Sequence, residues 1–71
     1  MSTQTALNEY EQLMEEIVTS YQWGEGFVKA VLLAITMHKA PASRNEYIKT
    51  MGKHFSIPKE KIDKVVELLP S

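Results

Sequence analysis

The stretch 51-MGKHFSIPKEKIDKVVELLP-70 decides the fold, because it sets a small residue, an apolar pair and a short turn in front of an amphipathic helix. Helix-turn-helix units are built this way. In a twenty-position window that starts at residue 48, the motif wants an apolar residue fourth and a small one fifth. It then wants apolar residues eighth and tenth around a glycine, and apolar residues again fifteenth and eighteenth. The chain supplies Met51, Gly52, Phe55, Ser56, Ile57, Ile62 and Val65. Only Ser56 departs, since glycine is preferred where a turn needs positive φ. Gly52 has a physical reason to be small, because the second helix of such a pair crosses closest there.

Working upstream, Ser43-Arg44-Asn45-Glu46 has the form of a capping box, in which the Ser43 hydroxyl and the Glu46 carboxylate each satisfy the other's amide. A third helix is expected over 44–54, burying Tyr47, Ile48, Met51 and Phe55. Pro58 suits the first turn of a fourth helix over 59–69, which buries Ile62, Val65, Val66 and Leu69 and stops at Pro70. Ahead of Pro41, residues 27–39 (Phe27-Val28-Lys29-Ala30-Val31-Leu32-Leu33-Ala34-Ile35-Thr36-Met37-His38-Lys39) are apolar almost all round. That pattern predicts a central helix with neighbours on several sides. Gly24-Glu25-Gly26 predicts a helix stop and tight reversal. The first helix, over 5–22, carries Leu7, Tyr10, Met14, Ile17 and Tyr21 at alternating spacings of three and four, with Leu13 and Val18 widening the stripe. Its other face is Glu9, Glu11, Gln12, Glu15, Glu16 and Thr19. The expectation is an all-α, single four-helix domain over 1–71, closed by a helix-turn-helix-like pair.

Composition bounds the function. A chain of 71 residues buries only about 60% of its unfolded surface, so it needs well-packed helices or a partner. The absence of cysteine excludes disulfides, thiolate metal sites and cysteine nucleophiles. The N-terminal MSTQTALNEYEQ lacks a basic segment followed by an apolar one, and no apolar run approaches the roughly 20 residues of a membrane span. A cytoplasmic protein without membrane contact is expected. The net charge of −1 is unevenly spread. Residues 1–37 set five carboxylates against Lys29, whereas residues 38–71 set seven basic side chains against four acidic ones. These halves can pair head to tail or meet separate partners.

The helix-turn-helix signal is stronger than any DNA signal. The outward positions of the fourth helix are Lys59, Glu60, Asp63, Lys64 and Glu67, and the carboxylates among them repel phosphate. That helix has no Arg, Asn or Gln for bidentate base contacts. Lys39, Arg44, Lys49, Lys53, Lys59 and Lys64 are the candidates for holding a DNA backbone, a reading possible but not favoured. Gly26-Phe27-Val28-Lys29-Ala30-Val31-Leu32-Leu33, the proline that follows, and Gly52-Lys53-His54-Phe55-Ser56-Ile57-Pro58-Lys59-Glu60-Lys61-Ile62 resemble the N-terminal helical domain of cyanate lyases. The likeness spans roughly two thirds of the chain, with shifted spacing between its segments. It implies a helix-turn-helix-like scaffold used for assembly. The catalytic part of that family lies in a separate C-terminal domain, so no catalytic residue carries over.

Other chemistry is weak. His38 and His54 lie near helix ends, where they suit the helix dipole, and two imidazoles without a carboxylate make a poor metal site. Ser20, Ser43 and Ser56 read as helix end, cap and turn. Gly24-Glu25-Gly26 lacks the lysine and preceding strand of a phosphate loop. The expectation is a non-enzymatic interaction or regulatory module with no cofactor and no metal, self-associating through the first helix and the apolar second one or contacting another protein. Its interface candidates are Leu7, Tyr10, Met14, Ile17, Tyr21 and Trp23. Trp23 is expected to close the core; exposed, it would make a natural hot spot together with Tyr21.

Overall fold

The computed structural model describes the backbone of residues 2–69 and the side chains of residues 8–69. Four helices follow one another: α1 (Ser2–Ser20), α2 (Gly24–Met37), α3 (Pro41–His54) and α4 (Lys59–Leu68), and the described residues form no strand. Each helix packs on its neighbours in sequence, and α1 packs on α4 to close a ring. The core is shared by all four. Leu13, Met14 and Ile17 come from α1, Phe27, Val31 and Ala34 from α2, and Ile48 from α3. Ile57 contributes from the last turn, with Ile62, Val65 and Leu69 from α4 and its end. Leu7 and Pro70 lie outside the residues whose side chains are described.

The helix-turn-helix-like pair is present, and its central residue behaves as its size requires. A Cβ on Gly52 would collide with the Cδ1 of Ile62 and stand 2.6 Å from its Cγ1. The glycine thus lets α4 cross α3 in direct contact. Between the two helices, Ser56 adopts φ 60°, the left-handed conformation that the turn demands and glycine would supply without strain. Its N–H donates to the Lys53 carbonyl at 3.1 Å, and the Ile57 N–H donates to the Gly52 carbonyl at 2.9 Å. These two bonds are the Schellman closure of a helix C-terminus, with apolar Ile57 folded back onto the core.

Three local expectations give way. Gly24-Glu25-Gly26 is not a break but the first turn of α2, and neither glycine has positive φ. The chain turns earlier, at Tyr21–Trp23, where the Gly24 N–H donates to the Tyr21 carbonyl at 3.0 Å. Gly24 is glycine because α1 lies against it: a Cβ there would run into the Ile17 carbonyl oxygen and sit 2.9 Å from the Val18 Cα. The capping box does not form either. α3 begins at Pro41, three residues before Arg44, and Ala40 precedes it in extended conformation without a side-chain cap. Proline's fixed φ and missing N–H fit the first helical position, so Ser43 is already inside the helix. Finally, α2 is not surrounded. It packs on α1 and α3 but not on α4, which leaves one side open.

Candidate functional site

The open side of α2 is the main apolar feature of the surface. Leu32 and Leu33 are each 52% exposed, Ile35 42% and Met37 71%, and Trp23 at the head of the helix is 58% exposed. Val28, Leu32 and Ile35 recur at four- and three-residue spacing, so they share a face. Val28 also lies one turn beyond Gly24, which abuts α1, so this stripe runs along the α1 side of the helix. Val18 of α1, 41% exposed, flanks its beginning rather than widening the buried seam of α1. Leu33 and Met37 lie further round, toward α3. Glu25 and Lys29 are the only ionic side chains on α2, and they pair with each other at 3.7 Å.

The interface candidates on α1 fare differently. Met14 and Ile17 are buried, and Tyr10 and Tyr21 pack against the same core, so these side chains are already committed within the chain. The hydroxyl of Tyr10 is buried and has no hydrogen-bond partner among the described residues. Burial holds its ionisation above the usual tyrosine range. Trp23 does not close the core. The short turn at Tyr21–Trp23 places it at the N-cap of α2, where its carbonyl accepts from the Phe27 N–H at 3.2 Å and its indole faces outward.

The six basic candidates separate into distinct places. Lys49 and Lys53 of α3 and Lys59 of α4 line one cleft of about 270 Å³ together with Ile57, Ile62 and Asp63. Arg44 is buried for most of its length, and its Nε donates to the Asn45 Oδ1 at 3.1 Å, apart from the lysines of the cleft. Lys39 is in the α2–α3 connection. Lys64 lines a larger groove of about 420 Å³ between α1 and α4, among Glu9, Glu16, Glu60 and Lys61. That groove compensates its own charge. Lys61 Nζ donates to Glu16 Oε1 at 2.6 Å, which joins α4 to α1 and raises the lysine's pKa.

His38 stacks on Tyr47 with ring centroids 5.1 Å apart, and His54 meets Phe55 edge-on at 4.9 Å. Among the described residues, no group of three or more histidine or carboxylate side chains stands close enough to hold a metal ion. Comparison with known proteins finds no matching family model, no matching curated protein and no matching solved structure. No described helix is long and apolar enough to cross a membrane.

Sequence reasoning expected self-association through the first helix and the apolar second one, but named contact residues only on the first and at Trp23, not the exposed Leu32, Leu33, Ile35 and Met37. The signal was available: a helix apolar all round needs more neighbours than two adjoining helices provide.

Proposed function

We propose that the chain is a cytoplasmic, non-enzymatic interaction or regulatory module that self-associates through the outward face of α2. The observation that carries this reading is the exposure of Leu32, Leu33, Ile35 and Met37 on one helix, beside Trp23 and Val18. A concentration of exposed apolar side chains on one helix points to a contact surface, whereas scattered ones do not. A second copy fits it. In a two-fold antiparallel contact centred between Leu32 and Leu33, Leu32 meets the partner's Leu33. Lys29 then meets the partner's Thr36. The charges of Glu25 and Lys29 already cancel within each chain, so like charges do not face each other across the axis. The resemblance to the assembly domain of cyanate lyases supports the same use.

The test is sedimentation equilibrium from micromolar to millimolar protein, on the native sequence and on Leu32→Glu/Leu33→Glu. A reversible dimer that the double variant abolishes, with helical circular dichroism unchanged, is the expected outcome. A strictly monomeric native chain over that range overturns the proposal. Sedimentation with random-sequence duplex DNA at low salt tests the second reading, a DNA-binding regulator. That reading draws on the convergence of Lys49, Lys53 and Lys59 at the α3–α4 pair.

A further inference from the structure

The cleft between α3 and α4 has a chemistry of its own. Lys49 and Lys53 stand one helical turn apart on α3, and the turn through Ser56 brings Lys59 to the same opening. All three lysines are exposed, and among the described residues none is paired with a carboxylate. The other large groove behaves oppositely, since its Lys61 is paired with Glu16 and its lining holds three carboxylates, Glu9, Glu16 and Glu60, against two lysines. Between the lysines the lining is aliphatic, made by the buried Ile57 and Ile62, and Asp63 is its single carboxylate against three ammonium groups. At about 270 Å³ the cleft is smaller than the roughly 300 Å³ at which small-molecule pockets begin. It is the size for a side chain or two rather than a cofactor.

We infer that this cleft docks an acidic peptide segment of a partner protein, one that presents two or more carboxylates around a single aliphatic side chain. Two features select this occupant. Three unpaired positive charges set a field that favours carboxylates and speeds encounter. The isoleucine lining rewards an aliphatic group that a phosphate lacks. A DNA duplex matches less well, because its phosphates extend beyond the cleft onto the outward face of α4. There Glu60 and Glu67 are exposed and repel them. The cleft lies on α3 and α4, away from the exposed stripe of α2, so peptide docking and self-association occupy different surfaces.

Fluorescence anisotropy with three labelled peptides tests the assignment. One alternates glutamate with leucine, one replaces leucine by serine, and one replaces glutamate by lysine. The glutamate–leucine peptide is expected to bind with an affinity that falls as salt rises. Lys49→Glu/Lys53→Glu should weaken it about tenfold or more, because each change turns an attraction into a repulsion. Both lysines are exposed, and circular dichroism checks that the helices persist. Equal binding of the glutamate–serine peptide would remove the role of the isoleucine lining and overturn the assignment. So would equal binding by the double variant, no binding of the glutamate–leucine peptide, or tighter binding of a labelled DNA duplex of equal concentration. None of these outcomes depends on whether the chain dimerises.

Discussion

Two residues hold conformations or surroundings that their chemistry disfavours. Ser56 is left-handed at φ 60°, which costs an L-residue about 1–2 kcal/mol relative to glycine. Glycine returns part of that through its greater freedom in the unfolded chain. Ser56→Gly is therefore expected to stabilise the domain by about 0.5–1 kcal/mol, seen as a higher urea midpoint at unchanged slope. Tyr10 carries a buried hydroxyl without a partner among the described residues, and leaving such a group unsatisfied costs about 1–3 kcal/mol. Tyr10→Phe should raise stability by about 1 kcal/mol. The pH dependence adds a second readout. Because burial raises the folded-state pKa of Tyr10, its proton is kept in the folded chain after the unfolded chain has lost it. Stability therefore falls as pH climbs through the ordinary tyrosine range. Lys61, whose pKa is raised by the hydrogen bond to Glu16, acts with the same sign at higher pH. Tyr10→Phe should remove the earlier part of this alkaline loss and leave the part that Glu16→Gln removes, as urea midpoints across the alkaline range will show.

At the scale of elements, the joint between α1 and α2 is the least tolerant of change. A Cβ on Gly24 meets backbone atoms of Ile17 and Val18, which cannot swing aside, so Gly24→Ala is expected to cost about 3 kcal/mol. That is most of what so small a core supplies. Gly26→Ala is the contrast. Its Cβ would approach the half-buried Phe55 ring at 2.7 Å, a side chain able to move, and alanine gains helix propensity, so a change within about 1 kcal/mol is expected. Thermal melts of the two variants check the difference. The pair also shows why the sequence misled here. Glycine's permissiveness is written in the residue, whereas the presence of another helix beside it is not. The α3–α4 pair was legible because its determinants, Gly52 through Val65, lie within a few turns of one another. The start of α3 was not, since Pro41 and the Ser43–Glu46 box offered competing beginnings and proline's fixed φ prevailed. The basic cleft was half legible: Lys49 and Lys53 share a face by spacing, but only the turn at Ser56 delivers Lys59 to them.

For the whole molecule, the open side of α2 links stability to concentration. If two chains bury Leu32 and Leu33 against each other, the dimer is the more stable species by mass action. The melting temperature of the native chain should then rise with protein concentration, and that of Leu32→Glu/Leu33→Glu should not, which differential scanning calorimetry at several concentrations will show. The ring of helices has a kinetic consequence as well. Every packed joint but that of α1 with α4 is between neighbours in sequence, so most of the native contacts close short loops. Chains of such low contact order fold in microseconds to milliseconds. Closing the ring then falls to one late encounter across 45 residues, the separation of Glu16 from Lys61.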